Sequence, residues 1–543
     1  MSVVPPIAVS SKCFKNDPVL VCDKTYFIDA SNKSLNTFPL SILLLKELEE
    51  VHLENNEIDE IPSAIQNLEN IRVLYLNKNK LSELCPEMGK LSKLEGLDLS
   101  NNPLLVSSLH VLSNIHSLRE LRLYNSDLEE IPIVICKFLH HLELLGLSGN
   151  KLKALPREVM TLTKLREIYL KHNQFESFPP ELCMLPNLEI IDFDENKISV
   201  IPEEIKDLKK LQKFYVANNN LSILPESLGQ CTYLSVLDLS YNYLRFIPQT
   251  LSGILEMTEL GLSGNHLGKI SHFICKWTSL HLLYMHNTGL KGLRRSFRHL
   301  INLRFLDLSQ NSLDCCPRFI CAMKNLEVLA LDDNKLWKLP SEFGSLSELK
   351  ILGLSGNQFF RFPEEILHLE SLEKLYIGQD LGNKFTSLPE GISILQNLIE
   401  LHVENNKLES LPKSLGEMPN LKVLDCRNNL LKQLPDTICQ AQGLTELLLD
   451  YNLLTKLPYH LDSLENLNVL TLQDNPMEVP PIEECVKGCK AIWEYLQEYR
   501  NKIFMATKIQ AWWRGVMVRK GLGKFEELRL QKKGKNSAKD KKD

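Results

Sequence analysis

A pattern of leucines with one asparagine and one proline, LxxLxLxxNxLxxLP, recurs from about residue 25 to residue 481 at intervals of roughly 23 residues. Residues 145–156 give a clean copy, LGLSGNKLKALP. A unit this short cannot enclose a core of its own, so each unit must bury its leucines against its neighbours. The chain is therefore predicted to fold as one solenoid, whose extended surface favours holding a partner over chemistry in a pocket.

The asparagine of each copy gives a count of twenty units, seventeen of which carry Asn itself. The steps are 23 residues, apart from two of 24 around Ser126 and one of 26 that ends at Asn383. A side-chain amide both donates and accepts, so it is predicted to pair backbone groups that the turning chain leaves unpaired. Lys33 cannot do this, which predicts a degenerate first unit. The Asn-type positions are Lys33, Asn56, Asn79, Asn102, Ser126, Asn150, Asn173, Asn196, Asn219, Asn242, Asn265, Thr288, Asn311, Asn334, Asn357, Asn383, Asn406, Asn429, Asn452 and Asn475.

These repeats resemble the leucine-rich repeat family, and the resemblance covers most of the chain. It implies an α/β solenoid, a right-handed horseshoe with a parallel sheet on its concave face. The residues agree, because alternation sends the leucines of a pair such as Leu97 and Leu99 inward and the residue between them outward. We assign residues 1–24 to an N-terminal segment and residues 25–481 to the repeats. The units that lack the proline of the pattern, and whose convex side is therefore expected to differ, are those of Asn102, Asn265 and Thr288.

Five of the fourteen cysteines share one slot, ten residues after an Asn-type position, where other units place glycine. This position is therefore predicted to accommodate only a small buried residue, and free cysteine packs well in such a place. No two of the five lie in adjacent units, and two stacked units separate them by about 10 Å, beyond the disulfide reach of about 7 Å. We interpret them as packing residues in a reducing cytosol. They are Cys136, Cys183, Cys275, Cys321 and Cys439.

Signals for chemistry are weak. Cys315, Cys316 and Cys321 are close in sequence, but they lack the paired CxxC or histidine partners of a metal site, so we predict no metal and no cofactor. The chain contains no P-loop, kinase, HExxH or GxSxG string, which argues against an enzyme.

Charge and hydropathy bound the location and the partners. No run of about 18 apolar residues is present and the first residues lack the order of a signal peptide, so we expect no membrane span and a cytoplasmic protein. Residues 486–543 carry sixteen Lys or Arg and six Asp or Glu, a net charge of +10, which leaves −16 for the rest. An acidic solenoid with a basic tail is predicted, and we expect no nucleic acid partner.

The residue after the first strand leucine alternates in sign through seven successive units. Same-register residues of neighbouring strands lie about 4.8 Å apart, so the alternation predicts a ladder of ion pairs. Each exposed pair is worth about 0–1 kcal/mol, and we interpret the ladder as structural. Its members are Glu49, Arg72, Glu95, Arg119, Glu143, Arg166 and Glu189.

The outward residue between the paired leucines is tyrosine in five units, with aspartate or glycine in many neighbouring units. Tyrosine offers large area and one hydroxyl at low entropic cost, and aspartates beside it favour a basic partner. One interpretation is a concave face that binds a protein ligand; the other is that tyrosine merely suits a strand. The candidate protein-binding residues are Tyr75, Tyr169, Tyr215, Tyr284 and Tyr376.

Two features interrupt the regular pattern. An insertion at residues 380–382, before Asn383, predicts a bulged lip beside the concave face. A basic cluster lies next to the units without proline, and it is either a site for an acidic peptide or phosphate or a solvated charge run. Its members are Lys291, Arg294, Arg295 and Arg298.

Apolar residues at helical spacing follow the last repeat. They predict a helix over residues 482–504 that closes the open end of the core, and the segment resembles the C-terminal capping helix of intracellular leucine-rich repeat proteins. The residues of the closing face are Val486, Cys489, Ile492, Trp493 and Leu496.

Residues 509–519 read IQAWWRGVMVR and look like an IQ motif, IQxxxRGxxxR, on a helix predicted over 505–524. IQ motifs bind calmodulin and related EF-hand light chains, so the resemblance implies such a partner. An apolar face and flanking basic residues suit an acidic EF-hand lobe; the alternative is an extended capping helix with a basic face. Residues 525–543 form a basic Lys-rich tail, of which we expect residues 532–543 to be disordered. The residues assigned to calmodulin binding are Ile509, Gln510, Trp512, Trp513, Arg514, Gly515, Val516 and Arg519.

The combination resembles the leucine-rich repeat and IQ domain-containing proteins. That implies an intracellular, non-enzymatic scaffold whose concave face binds a protein ligand and whose tail recruits calmodulin. Small GTPases, phosphatases and cytoskeletal proteins are the candidate ligand classes. The alternative is a structural component of the cytoskeleton or cilium whose tail binds a filament directly. Binding of calmodulin, with and without calcium, separates the two hypotheses.

Overall fold

The computed structural model describes residues 26–380 and 382–520. The chain divides into two compact units, Met1–Ala330 and Leu331–Asp543. In both units the repeats stack as predicted, each contributing a three-residue strand and a turn at its Asn-type position. The predicted leucine-rich repeat solenoid with its parallel sheet is therefore confirmed. The N-terminal segment 1–24 and the tail 525–543 lie outside the described residues.

The described part of the first unit contains fourteen parallel strands. Neighbours pair in register one repeat apart, so that Leu237 faces Leu260. The central residue of each strand is buried, because it points between the sheet and the opposite side of the repeat. The strands are β1 Phe27–Asp29, β2 Glu50–His52, β3 Val73–Tyr75, β4 Gly96–Asp98, β5 Glu120–Arg122, β6 Leu144–Gly146, β7 Glu167–Tyr169, β8 Ile190–Asp192, β9 Lys213–Tyr215, β10 Val236–Asp238, β11 Glu259–Gly261, β12 Leu282–Tyr284, β13 Phe305–Asp307 and β14 Val328–Ala330.

The side opposite the sheet carries short helices. The repeat of Asn102, which lacks proline, has a longer 3-10 helix than its neighbours, as predicted. The repeats of Asn265 and Thr288 have five-residue helices like the others, so the prediction is wrong for them. The helices of this side are Ile42–Leu44, Ser63–Asn67, Pro86–Lys90, Val106–Asn114, α1 Ile133–Phe138 (an α-helix), Arg157–Thr161, Pro180–Met184, Glu203–Asp207, Glu226–Gln230, Gln249–Gly253, His272–Lys276, Arg295–His299 and Arg318–Ala322.

The second unit repeats the arrangement and ends in helices. Its strands are β15 Ile351–Gly353, β16 Lys374–Tyr376, β17 Glu400–His402, β18 Val423–Asp425, β19 Glu446–Leu448 and β20 Val469–Thr471. Its 3-10 helices are Phe343–Ser345, Glu364–His368, Glu390–Ile394, Lys413–Glu417, Asp436–Gln440 and Leu461–Ser463, and its α-helices are α2 Ile482–Cys485 and α3 Cys489–Lys520.

A row of buried asparagines ties successive repeats together, as the spacing predicts. The Nδ2 of Asn219 donates to the carbonyl oxygens of Phe193 and Val216, at 2.9 and 3.2 Å, and its Oδ1 accepts the N–H of Ile198 at 2.8 Å. Phe193 lies one repeat earlier, so a single side chain links two repeats. Thr288 keeps half of this role, because its hydroxyl donates to the carbonyl of Met285 at 3.0 Å.

Asn383 does not belong to this row. It is only half-buried, and its amide donates to the carbonyl oxygen of Gln358 at 3.2 Å. Gln379, directly before the insertion, is fully buried instead, and its Nε2 donates to the carbonyl oxygen of Ile377 at 3.4 Å. The three extra residues therefore displace the asparagine that the spacing assigned to this position. Within the predicted lip, Leu381 lies outside the described residues.

Four of the six neighbouring pairs of the predicted ladder lie within ion-pair distance, whereas Glu49–Arg72 and Glu143–Arg166 do not, and the cysteine slot behaves as predicted. Arg119 lies 2.7 Å from Glu143, and Arg166 lies 2.9 Å from Glu189. The slot cysteines are free; four are buried and Cys439 is half-buried. Burial raises the pKa of the Cys136 thiol to about 12, which suits packing rather than reactivity.

The two helices predicted after the repeats are one helix. Helix α3 runs from Cys489 to Lys520 and includes both the capping residues and the IQ motif. Ile492 and Leu496 are buried against the last repeats as expected. Val486 was expected on the same face, but it precedes α3 and is 81% exposed.

Candidate functional site

The five predicted tyrosines each occupy the last position of a strand and are half-buried. Four lie on the sheet of the first unit and Tyr376 lies on that of the second. Tyr169 and Tyr215 flank Asp192 of β8, because β7, β8 and β9 pair in register. The structure thus brings together a column of alternating tyrosine and aspartate side chains in the first unit.

Two of the tyrosines donate hydrogen bonds to neighbouring glutamates, and the ring of a third packs on a histidine. The hydroxyl of Tyr169 donates to Glu167 at 2.7 Å, and burial together with this bond raises its pKa. The hydroxyl of Tyr376 donates to Glu400 at 3.0 Å. The ring of Tyr75 packs on His52, with centroids 4.7 Å apart. These contacts fit tyrosines that stabilise the sheet.

The hydroxyls of Tyr215 and Tyr284 have no hydrogen-bond partner among the described residues, although the ring of Tyr284 packs on Phe305 with centroids 4.7 Å apart. Between them lie Asp238 of β10 and Gly261 of β11, in the same register. Asp238 leans over Gly261, where a Cβ would collide with its carboxylate. The side chain of Asp238 therefore fills the space that a larger residue at this position would occupy.

Carboxylates gather around this pair of tyrosines. Burial, followed by the charge of Asp192, raises the pKa of Asp194 to about 7. Burial also raises the pKa of Asp192 and of Glu259, and the charge of Asp238 adds to the effect at Glu259. Such carboxylates would be stabilised by an incoming cation. We name Asp192, Asp194, Tyr215, Asp238 and Tyr284 the tyrosine–aspartate patch.

Asp194 was not predicted, although its position could have been read from the sequence. It lies two residues before Asn196, a member of the row of buried asparagines, and at the next outward position after Asp192. Its Oδ1 accepts the N–H of Ala217 at 2.7 Å, which fixes the carboxylate on the sheet.

The second unit holds a polar cluster on β17 and β18 that the sequence did not single out. His402, Glu404 and Asp425 offer atoms within 4.8 Å of one another, an arrangement that resembles a metal site. However, the guanidinium of Arg427 bonds both oxygens of the buried Asp425, at 3.0 and 2.6 Å. Despite the cost of burial, hydrogen bonds from His402 and Arg427 lower the pKa of Asp425 to about 2. The guanidinium occupies the carboxylate that a metal would need, so the cluster is interpreted as an ion-pair network.

The first half of helix α3 is docked on the last repeats. Arg500 makes a bidentate ion pair with Asp462, with both N–O distances at 2.6 Å, and it also donates to the carbonyl of Tyr459. Tyr499 packs on Tyr459, with ring centroids 5.8 Å apart. Together with the buried Ile492, these contacts fix the start of the helix.

The second half of helix α3 exposes the predicted IQ residues. Ile509, Trp512 and Trp513 are 56–64% exposed, which is high for such large apolar side chains. Gly515 and Val516 are half-exposed, and at Gly515 the nearest atom to an added Cβ is 3.7 Å away, on Arg519. The remaining predicted residues, Gln510, Arg514 and Arg519, are exposed.

The two halves of the helix face different directions. At about 100° per residue, the docked residues Ile492, Leu496 and Arg500 share one side of α3. The apolar stripe of Ile509 and Trp513 is centred about 120° around the helix from them. A partner can therefore reach the stripe without displacing the docked half. No helix among the described residues is both long and apolar enough to cross a membrane.

Comparison with family models finds repeats along both units. The leucine-rich repeat models match residues 47–68, 69–128, 116–175, 163–221, 280–410 and 396–437. A model described as the IQ calmodulin-binding motif matches residues 506–522, which contain the exposed stripe of α3.

Curated relatives match over part of the chain. Leucine-rich repeat and IQ domain-containing protein 4 of Homo sapiens is 67% identical over 171 residues, and that of Mus musculus is 63% identical over 171 residues. Each match covers 32% of this chain and 30% or 29% of the relative, so the chain aligns with less than a third of their length.

Solved structures share the fold over most of the chain. The plant peptide hormone receptor RGFR1 in complex with RGF2 is 28% identical with a TM-score of 0.59, and the match covers 84% of this chain and 79% of the receptor. A leucine-rich repeat protein of Leptospira interrogans is 28% identical with a TM-score of 0.55, covering 86% of this chain and 100% of that one.

Proposed function

Because the chain is a leucine-rich repeat protein that carries an IQ motif, we propose that it is a scaffold with two separate protein-binding surfaces. Helix α3 binds calmodulin or a related EF-hand protein, and the tyrosine–aspartate patch binds a basic protein segment. The supporting observation is the exposed stripe of Ile509, Trp512 and Trp513 on the undocked half of α3.

The stripe has the chemistry that an EF-hand lobe recognises. Such a lobe offers an apolar groove with an acidic rim, and α3 offers an apolar stripe flanked by the exposed Arg514 and Arg519. Burying the Ile509 side chain contributes about 1.5–3 kcal/mol, equivalent to a tenfold to hundredfold change in affinity. Trp513, one residue after Trp512, gives a calcium-loaded lobe a second anchor on the same face.

Titration of the chain with calmodulin, in calcium and in chelator, tests this proposal. We expect binding in chelator that Ile509→Ala weakens by about tenfold to a hundredfold. Ile503→Ala is the matched control, because Ile503 is also exposed but lies on the docked side of the helix. Equal affinity of the two variants would overturn the assignment of Ile509 as the anchor.

The tyrosine–aspartate patch is proposed as the site for the second partner. Its two unbonded tyrosine hydroxyls and its partly desolvated carboxylates favour arginine or lysine side chains. A solved structure of similar fold, the plant peptide hormone receptor RGFR1, is in complex with RGF2. A small GTPase, a phosphatase and a cytoskeletal protein remain the candidate partner classes.

Proximity labelling with wild type and with the variant Tyr215→Ala/Tyr284→Ala identifies this partner. We expect its recovery to be lost in the variant, and to be retained in Tyr376→Ala, whose tyrosine is bonded to Glu400. Normal recovery from a folded double variant would place the binding surface elsewhere.

We propose a cytoplasmic location, with the cytoskeleton or a cilium as the second candidate, and no catalytic activity. The cysteines of the described part are free thiols, which suits a reducing compartment. A filament co-sedimentation assay without calmodulin tests the structural alternative, since a direct filament binder would sediment and a calmodulin-linked scaffold would not.

A further inference from the structure

A segment without acidic residues interrupts the acidic solenoid. Residues 260–306 contain seven Lys or Arg and five His but no Asp or Glu. By contrast, residues 1–485 as a whole carry a net charge of −16. The repeats of Asn265 and Thr288, which lack proline, lie within this acid-free segment.

The cations of this segment are exposed and largely unpaired. Lys269, Lys291 and Arg294 line a shallow cavity of about 380 Å³ on the edge that joins the sheet to the 3-10 helices. Of the seven Lys and Arg side chains, Arg304 alone has an ion pair among the described residues, with Glu327 at 3.7 Å. Elsewhere in the first unit, cations of the charge ladder are paired with glutamates. The exposed cations are thus not needed to neutralise a neighbour.

An exposed apolar column leads up to these cations. Val200, Ile223 and Phe246 occupy the same position in three successive repeats, four residues after the asparagine, and are 56%, 57% and 56% exposed. The next residue in that position is Lys269. At about 5 Å per repeat, the column extends over about 15 Å and changes from apolar to cationic along its length.

Adjacent exposed groups continue both parts of the column. Tyr243 is 56% exposed beside Phe246, and Arg245 is exposed between them in sequence. Contiguous exposed apolar side chains mark interaction sites, and unpaired arginines favour carboxylates because the guanidinium can bond both oxygens. We name Val200, Ile223, Phe246, Lys269, Lys291 and Arg294 the loop-edge surface.

From this juxtaposition we infer that the loop-edge surface binds an acidic protein segment with apolar anchors. Its apolar residues lie on the Val200–Phe246 part and its carboxylates lie on the Lys269–Arg294 part. This surface is distinct from the tyrosine–aspartate patch, and it prefers a partner of the opposite charge.

The short distance over which charges act in salt solution favours a short acidic segment over a larger anionic partner. The Debye length is about 8 Å at physiological salt, so a short segment senses mainly the local cations. An extended anionic membrane would also face the surrounding acidic solenoid, which repels it. A nucleic acid would leave the apolar column of Val200, Ile223 and Phe246 uncovered.

A displayed library of random 16-residue peptides, selected on the full chain, tests the inference. Selection is repeated on the variant Lys291→Glu/Arg294→Glu/Arg295→Glu and on the matched control Lys93→Glu/Lys164→Glu/Lys210→Glu. The control changes the net charge equally at lysines whose Nζ bonds neutral Asn or His side chains.

We expect peptides rich in Asp and Glu beside Leu, Ile or Phe. Their affinity should fall at least tenfold on the first variant and stay within twofold on the control. Phe246→Ser should weaken the same peptides about threefold or more, which a purely ionic contact would not show. Basic peptides, which report on the tyrosine–aspartate patch, should bind all of these proteins equally.

Three outcomes would overturn the inference. One is the absence of acidic peptides among those selected. Another is equal loss of acidic peptides on the variant and the control, which would indicate net charge alone. The third is binding of vesicles containing phosphatidylserine or phosphoinositide in preference to the selected peptides, which would assign the surface to a membrane.

Discussion

At the scale of single residues, the solenoid depends on buried side chains that bond the backbone of two repeats. Asn219 satisfies carbonyl groups of its own and the preceding repeat, and it is 4% exposed. A buried backbone group that loses its partner costs about 1–3 kcal/mol. The stability of each repeat is therefore tied to one amide.

Asn219→Leu is expected to lower the free energy of unfolding by about 1–3 kcal/mol, because the carbonyl of Phe193 loses its donor. Asn383→Leu is the matched control and should change stability by about 0.5 kcal/mol or less, since Asn383 lies outside the buried row. Urea unfolding of both variants makes the comparison. Equal destabilisation would show that the spacing matters more than the observed bonds.

Asp194→Asn is expected to stabilise the fold at pH 8 but not at pH 4. The pKa of Asp194 is about 7 in the fold, above the ordinary value of about 3.9. The folded state therefore holds the proton more tightly, and stability falls as pH rises between these values. Asparagine cannot ionise and keeps the oxygen that accepts from Ala217, so the variant should gain about 1–3 kcal/mol at pH 8.

Urea unfolding at both pH values checks this prediction, with Glu57→Gln as a control at an exposed carboxylate of the same unit. A gain of the same size at pH 4 would mean that the effect does not come from ionisation of Asp194.

The sequence predicted the asparagine row but not the displacement of Asn383 from it. The 23-residue spacing identifies side chains that meet the same backbone groups in every repeat. After an insertion, however, spacing cannot tell whether Gln379 or Asn383 takes the buried position, because that depends on where the extra backbone turns. The sequence also could not show that the hydroxyls of Tyr215 and Tyr284 lack hydrogen bonds, because these bonds depend on side-chain contacts between strands.

At the scale of elements, helix α3 shows how the cap and the IQ motif are joined. Two separate helices were predicted from two motifs. No Gly or Pro lies between Cys489 and Arg514, so the sequence itself contains the signal for a continuous helix. The docking pair Arg500–Asp462 could not be predicted, because its partners lie 38 residues apart in different elements.

Removing the Arg500–Asp462 pair is expected to loosen the cap. A double-mutant cycle with Arg500→Ala and Asp462→Asn should give a coupling energy of about 1 kcal/mol at pH 7, modest because each side chain is 22% exposed. Its hydrogen bond from Arg500 lowers the pKa of Asp462, so the coupling is present above the carboxyl's unfolded pKa and disappears as pH falls through the lower folded value. Urea unfolding at pH 7 and pH 2 measures both; undiminished coupling at pH 2 would contradict an ionic contact.

At the scale of the whole molecule, charge is divided between an acidic solenoid and a basic C-terminal region. Residues 486–543 carry a net charge of +10. An acidic EF-hand partner would therefore be attracted to the part of the chain that contains the proposed site and repelled by most of the rest.

We expect the association rate of calmodulin to fall about tenfold between 20 and 300 mM salt, with a smaller change in dissociation. Arg514→Gln/Arg519→Gln should flatten the salt dependence, whereas Ile509→Ala should mainly speed dissociation. Stopped-flow tryptophan fluorescence separates the two rates. A salt-independent association rate would show that long-range electrostatic attraction does not speed the binding of calmodulin.

Helix α3 is continuous from its docked half to its exposed stripe, so a force applied at the stripe is transmitted along the helix to the docked half. With a rise of 1.5 Å per residue, Ile509 projects about 14 Å beyond Arg500. Force on a protein bound at Ile509 would act first on the Arg500–Asp462 ion pair and then on the buried Ile492 and Leu496. The first event under tension would be detachment of the capping half of α3 from the last repeats. Detachment would expose the buried leucines of the last repeat, and this newly exposed apolar surface could bind another protein.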